Sequence, residues 1–358
     1  VKDSKLLNKL WHEVSIGNVN ASTSGNLTIF KYTQDCHIEG RWNDVNRKAR
    51  GIIFHYDGTV IARPFEKFFN LGENEETHPD VLPWSEGAEV YEKLDGSCGI
   101  GYIHSRTGFD QPVWKLATPG SMESPQATYG SQLLNNKNLY RLQHLPEGIT
   151  PVFEIIYPDN RIVVDYGGEE FVCLLSVFDL DGQEWHSSRV NQLAELCHFR
   201  RPQVYEIDLR GEIEFEDNTE GFVIRFANGK RAKVKSPTYL RIHRLLDYLS
   251  PKRVIELIRG QEYGSIVKQL PDGIASDFDD IRAHVQTAFN TEYAAACEDH
   301  RTMMNELGHN RSRKDYAAWV QEHVISARMG FVFRLMDEKS IDDGIWKRVL
   351  ELMTTKGI

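Results

Sequence analysis

The sequence predicts an α+β protein, in which a domain of antiparallel β-sheets with flanking helices is followed by an all-α C-terminal domain. Three observations predict it. Up to about Lys235, short alternating apolar runs are separated by Asp-Gly and Asn-Gly pairs, the period of strands and the residues of hairpin turns. At Ser236-Pro237 the apolar spacing becomes helical and stays so almost to the end. The length of 358 residues also exceeds the roughly 250–300 that one core usually organises. The boundary is expected within residues 236–250, with 1–243 and 244–358 as the two domains.

Taken in chain order, Gly51 to Arg63 reads as a hairpin turning at Asp57-Gly58, and Ala88 to Tyr91 as a strand. Phe171 to Trp185 reads as a hairpin around Asp181-Gly182, and Gly221 to Lys235 as one around Asn228-Gly229. One clear helix interrupts these strands, with Ser187 or Ser188 as N-cap and Val190, Leu193, Ala194 and Cys197 on one stripe. Ser236-Pro237 and Ser250-Pro251 each supply a capping residue followed by the proline favoured at the first helical position. Ile242, Leu245, Leu246 and Leu249 then form an apolar stripe. Asp277 to Leu307 suits one long helix or two; Asp315 to Met329 and Ile341 to Met353 follow.

Hydrophobic residues at 41% and charged residues at 26% are those of a globular protein. No apolar run approaches the roughly 20 residues of a membrane span, and no signal-peptide core is seen. Cys36, Cys98, Cys173, Cys197 and Cys297 are scattered without a CxxC pair, which argues against a disulfide framework or structural zinc and for reduced thiols in the cytosol. The net charge of −10 is unevenly spread. From Glu220 to Arg244 there are seven Lys/Arg against one acid, while Glu206 to Thr219 holds six acids against Arg210. Such a juxtaposition suits a metal beside a phosphate-binding groove, and equally two solvated faces.

The chemistry centres on YEKLDGSCGIGYIH, Tyr91 to His104. Lys93 is either a solvated lysine beside an Asp95-Gly96 turn or a nucleophile fixed by that turn. Its company decides. Arg50-Gly51-Ile52 and Arg63-Pro-Phe-Glu-Lys67-Phe-Phe69-Asn70 lie upstream. Val152-Phe153-Glu154-Ile155, Pro158-Asp-Asn-Arg161, Glu220-Gly221-Phe222-Val223 and Lys233-Val234-Lys235 lie downstream. Lys233 and Lys235, two apart on a strand, share a face. A nucleophilic lysine must be neutral, and burial and neighbouring cations depress its pKa. Glu220 is a hard oxygen donor suited to Mg²⁺ or Mn²⁺. Gly96 is expected at positive φ, while Asp95 and Ser97 suit turn stabilisation. No HExxH and no GxxxxGK[ST] occurs, so the histidines offer no competing chemistry and the sequence argues against a P-loop kinase or ATPase.

Together, and in this order, these segments resemble motifs I, III, IV and V of the covalent nucleotidyltransferases. They are most similar to the RNA ligase 1-like family of the T-even phages over about residues 45–240. The resemblance implies a nucleotidyltransferase domain in which Lys93 becomes linked to AMP from ATP, with Lys233 and Lys235 as catalytic cations and Glu220 as metal ligand. It implies that Arg50 and Lys67 grip phosphates and that Glu154 meets the ribose. Glu92 would touch adenine mainly through its backbone, and Phe69 and Val223 would pack near the nucleoside, where core packing is the equal alternative. Lys115 is the candidate for the lysine that follows the first motif's hairpin, although Trp-Lys-Leu-Ala-Thr-Pro-Gly-Ser departs from the pattern there. The implied function is an ATP-dependent RNA ligase using Mg²⁺ or Mn²⁺, joining 5′-phosphate and 3′-hydroxyl ends of single-stranded or nicked RNA, with tRNA a candidate. A bacterial cytosol or phage-infected cell is the implied setting. The alternatives are a DNA ligase or capping enzyme, which the helical sequence after Ser236 disfavours, or a catalytically silent RNA-binding relative.

Overall fold

Asp57-Gly58, Asp181-Gly182 and Asn228-Gly229 form tight turns in the computed structural model, which describes residues 1–106, 112–136, 140–208, 211, 213–247, 251–268 and 272–356. Arg210, Glu212, Leu249 and Ser250, named above, lie outside the described residues, as do the side chains of Leu245 and Leu246. Two compact units are present, Val1–Leu240 and Arg241–Ile358.

The strands of the first unit are β1 (Val19–Ser24), β2 (Leu27–Tyr32), β3 (Arg50–His55), β4 (Val60–Ala62), β5 (Phe69–Asn70), β6 (Ala88–Glu92), β7 (Ser97–Arg106), β8 (Pro112–Ala117), β9 (Ile149–Ile156), β10 (Phe171–Asp179), β11 (Val204–Tyr205), β12 (Gly221–Phe226) and β13 (Arg231–Lys235). They form three sheets, ordered β1-β2-β3-β4, β10-β9-β7-β8 and β11-β6-β12-β13-β5. Pairing is antiparallel except between β13 and β5. The β12–β13 hairpin shows the local cause: Gly229 takes φ +84°, and Asn228 Oδ1 accepts from Lys230 N at 2.9 Å.

Alternation decides what each face does. On β6, β12 and β13, Val90, Phe222, Ile224, Phe226 and Ala232 bury one face of the five-stranded sheet. Their alternates Tyr91, Val223, Arg225, Arg231 and Lys233 line a cleft on the other. Ile29 and Ile53 of β2 and β3 pack against Ile100, Tyr102 and Ala117 of β7 and β8. The far face of the β9–β10 sheet is closed by α3 (Pro125–Leu134) and α4 (Ser187–Cys197) through Leu133, Leu134, Leu193 and Ala194.

Several expectations need correction. The cap of α4 is His186, whose Nδ1 accepts from Ser188 N at 3.3 Å, so the helix starts at Ser187. Two further helices precede α3: α1 (Ser4–Ser15), whose Leu6 and Leu10 pack on the first sheet, and the short α2 (Gln34–Ile38). Asp95-Gly96 does not close a hairpin, because β6 and β7 belong to different sheets.

Helix α5 (Pro237–Asp247) starts as expected, Ser236 Oγ accepting from Tyr239 N at 3.0 Å. The second unit continues with α6 (Pro251–Arg259), α7 (Tyr263–Val267), α8 (Asp272–Leu307), α9 (Arg313–His323), α10 (Ser326–Met336) and α11 (Asp342–Lys356). The long α8 is one helix serving two cores. Val285 and Ala296 pack with Ile255, Ile341, Ile345 and Val349, and Met303 packs with Tyr316, Trp319, Val320 and Val332. The segment expected as one helix from Asp315 to Met329 is divided between α9 and α10.

Candidate active site

The register of the five-stranded sheet arranges the cleft floor in rows. Tyr91, Val223 and Lys233 are cross-strand neighbours in the middle row, and Glu89, Arg225 and Arg231 form the row at one end. At the other end Gly221 pairs with Lys235, and Lys93 joins them through its N–H, which donates to Gly221 O at 2.9 Å. Cys98, Glu154, Leu175 and Ser176 come from the other sheet, with Arg50, Phe65, Lys67 and Phe68 beside them. The space between is about 1070 Å³, its open mouth included.

Lys93 follows β6 at the point where the chain leaves one sheet for the other. The crossing is tight: a Cβ on Gly96 would lie 2.5 Å from Ile155 O and 2.6 Å from Ile156 Cδ1. Gly96 is not at positive φ, contrary to expectation; close approach to β9 is what demands glycine. Gly96 N donates to Glu154 Oε1 at 3.1 Å, so the crossing also positions Glu154. Asp95 is buried and anchors the crossing. Its Oδ2 accepts from Val163 N and Val164 N at 2.7 and 2.9 Å, and its Oδ1 from the Tyr239 hydroxyl at 2.8 Å. Ser97 Oγ donates to Asn160 Oδ1 at 3.0 Å.

The Lys93 amine lies 2.7 Å from Glu220 Oε2, and Lys235 Nζ lies 2.8 Å from the other carboxylate oxygen. Glu220 itself is only 2% exposed. It precedes Gly221, whose φ is +141° and whose added Cβ would lie 2.0 Å from Val234 O, so β12 can start here only with glycine. Burial depresses the Lys93 pKa, but Glu220, with Glu154 and Asp95, more than offsets this and holds it above the ordinary lysine value. The expected depression is therefore reversed here: the buried carboxylate keeps Lys93 charged. Lys233 behaves as the cluster predicts. Burial, then Lys67, Lys93, Arg50 and Lys235, lower its pKa to about 7. Glu154 is pushed up to about 7, chiefly by burial and further by Glu220.

Arg50, Lys67, Glu92, Lys93, Glu154, Val223, Lys233 and Lys235 all line the cleft. Phe69 is buried behind it; Lys67 Nζ lies 4.8 Å and Arg47 Cζ 5.1 Å from its ring centre. Lys115 is not among the lining residues and pairs with Tyr102 further along β7–β8. Sequence reasoning missed Tyr32 and Trp42, whose rings lie 5.8 and 5.4 Å from Lys67 Nζ and, with Phe69, cage it. It also missed Tyr239 and the polar row at the far end. There Glu184 pairs with Arg231 and with Arg225 (3.4 Å), and Arg225 pairs with Glu89 at 3.1 Å.

Among the described residues no group of three or more His, Cys, Asp and Glu could hold a metal alone. Glu220 and Glu154 are hard oxygen donors of the kind Mg²⁺ uses, one or two at a time with water and substrate phosphates, although both Glu220 oxygens are met by Lys93 and Lys235. No described helix is long and apolar enough to cross a membrane.

The RNA ligase family profile matches residues 48–239, over half of the chain. A Thermovibrio ammonificans protein assigned as an RNA ligase is 33% identical over 217 residues, covering 57% of this chain and 55% of its own. The chain thus spans about half the length of that relative. An RNA ligase of a Rhodothermus phage is 22% identical over 354 residues, covering 76% of this chain and 78% of its own. Among solved structures, a Naegleria gruberi RNA ligase mutant with ATP and Mn is 19% identical at a TM-score of 0.33, covering 44% of this chain and 51% of its own. An Aquifex aeolicus protein assigned as an ATP-dependent DNA ligase is 14% identical at a TM-score of 0.46, covering 94% of this chain and 88% of its own.

Proposed function

The chain belongs to the RNA ligase family, and from that premise we propose that it is an ATP-dependent RNA ligase acting through a lysine–AMP intermediate. The observation that carries the reading is a single juxtaposition. Lys93, 2.7 Å from buried Glu220, sits in a cleft with Arg50, Lys67, Lys233 and Lys235 on its walls.

In the first step the charged Lys93 amine gives up one proton, its Nζ then bonds to the α-phosphorus of ATP as the bond to pyrophosphate breaks, and the nitrogen releases a second proton. Glu220 Oε2 is the carboxylate oxygen nearest that nitrogen. Lys233, Lys235, Arg50 and Lys67 offset the charge on the phosphates, and Glu154 is the proposed partner of the ribose hydroxyls. Glu220 and Glu154 would be the carboxylates to hold Mg²⁺ or Mn²⁺, which would supply further neutralisation of phosphate charge. AMP then passes to the 5′-phosphate of an RNA end, and a 3′-hydroxyl attacks that activated end and releases AMP. Positioning and charge neutralisation supply most of such catalysis. The helical unit beyond Leu240 is the proposed element that selects RNA shape, with a nicked tRNA loop the substrate to test first.

Incubation with α-labelled ATP and Mg²⁺ in the absence of RNA tests the reading. A covalent adduct formed with ATP and not with GTP is expected. No adduct supports a silent scaffold, and a GTP adduct supports a capping enzyme.

A further inference from the structure

One irregularity in the cleft wall is unexplained by the chemistry at Lys93. The register of β10 against β9 breaks between Leu174 and Ser176, leaving Leu175 as an extra residue. A bulge of this kind re-aims a side chain and leaves backbone groups without ladder partners. Here Leu175 lines the cleft. The freed carbonyls are answered by one side chain: Arg201 Nη1 donates to Leu174 O and, at 2.7 Å, to Leu175 O. Arg201 Nε donates to Asn191 Oδ1 at 2.9 Å, and its guanidinium lies 5.8 Å from the Tyr91 ring centre. The residue before it works on the same strand, since Leu174 N donates to Arg200 O at 2.9 Å.

We propose that Arg201 is a positioning residue for the nucleobase: it holds the Leu174–Leu175 bulge so that Leu175 and Val223 form the two walls of an apolar slot for a purine. The inference rests on the nucleotide reading above. Three features of the geometry carry it. Val223 and Leu175 come from different sheets and both line the cleft, Val223 directly opposite Lys233 and Tyr91. A flat purine ring between aliphatic side chains gains from burial without needing a polar partner on its faces. The bulge that presents Leu175 depends on a planar, multiply donating group, because two adjacent carbonyls and the Asn191 amide oxygen must be met at once. Guanidinium has the donors for this in a fixed fork; an ammonium does not reproduce that geometry.

The test compares ATP with base-less ribose 5′-triphosphate, in wild type, Arg201→Ala, Arg201→Lys and, as a neighbouring control, Arg200→Ala. Lysine–AMP formation gives KM and kcat for ATP, and competition gives the affinity for the base-less analogue. For Arg201→Ala, KM for ATP should rise about tenfold with kcat nearly unchanged, the signature of lost ground-state binding. Affinity for the base-less analogue should change less than about twofold, since that ligand never enters the slot. Arg201→Lys should fall between wild type and alanine, and Arg200→Ala should match wild type. Should Arg201→Ala fail to fold, Arg201→Lys carries the comparison alone. An unchanged preference for ATP over the analogue overturns the proposal, even if both bind more weakly or the active fraction falls, because Arg201 then serves only stability. A wild-type chain that binds neither triphosphate removes the nucleotide reading itself. One that binds both equally leaves that reading standing and removes the slot.

Discussion

The two ends of the cleft are built from the same strands and similar residue types, yet they are balanced in opposite ways. At the Lys93 end and in the adjoining row Arg50, Lys67, Lys93, Lys233 and Lys235 line the cleft with Glu154, while buried Glu220 pairs with Lys93 and Lys235. Lys233 has no ion-pair partner among the described residues, and its pKa falls to about 7. At the other end each arginine is answered. Glu184 meets Arg231 and Arg225, Glu89 meets Arg225, and Ser176 and Ser187 donate to those carboxylates. The difference teaches which end awaits a ligand. Buried cations in excess are costly unless anions arrive, whereas a satisfied network holds two sheets in register and gains nothing from an anion.

The comparison is sharpened by substitutions at both ends. Lys93→Arg keeps a cation but removes an attacking amine, and adduct formation should fall at least about a thousandfold, with the melting temperature little changed. Labelling at the wild-type rate would contradict it. At the other end Glu184→Ala strands Arg231 and leaves Arg225 with Glu89 alone, and should cost about 3–5 kcal/mol of stability, read from denaturant unfolding. The folded fraction should still form adduct at near the wild-type rate. A lost kcat with intact stability would erase the distinction between the ends.

The charge excess also makes a pH prediction. Lys233 in the folded chain loses its proton near pH 7, whereas its reference value is 10.5. The unfolded state therefore binds more protons between about pH 7 and 10.5, so stability from this group rises with pH across that window. Below pH 7 both states are charged, and the cost of burying the charge is fully present. Lys233→Met should therefore raise the melting temperature more at pH 6 than at pH 9; an equal gain at both would refute the assignment. The smallest effect is expected at the aromatic cage. Trp42→Leu removes one of three rings around Lys67 and should weaken ATP binding about two- to fivefold, the worth of one cation–π contact. Titration calorimetry checks it, and a loss beyond a hundredfold would mean that Trp42 touches the ligand.

How legible each part was depended on how local its cause is. The Asn228-Gly229 hairpin, and with it the shared face of Lys233 and Lys235, follows from turn chemistry and a period of two. The helix start at Ser236-Pro237 follows from capping. Helix α1 was readable from Leu6 and Leu10 at i, i+4, but the strand-rich surroundings masked it. Lys93 and Glu220 are 127 residues apart in sequence, so their contact was reachable only through a family resemblance. Gly96 was assigned the right requirement for the wrong reason, because its crowding comes from β9, 58 residues away. The charged state of Lys93 escaped because burial and cations were weighed without a carboxylate at 2.7 Å. Arg201 carried no signal at all, since a bulge exists only once β10 has paired with β9.

The central claim is that the uncompensated end of the cleft makes a phosphoramide bond to one lysine. Peptide mass mapping of the chain after incubation with ATP and Mg²⁺ tests it most directly. The account predicts AMP on the peptide containing Lys93, stable to alkali and released by acid as a P–N linkage is, and absent from peptides bearing Lys67, Lys233 or Lys235. AMP found on any of those other lysines, with Lys93 unmodified, would contradict it.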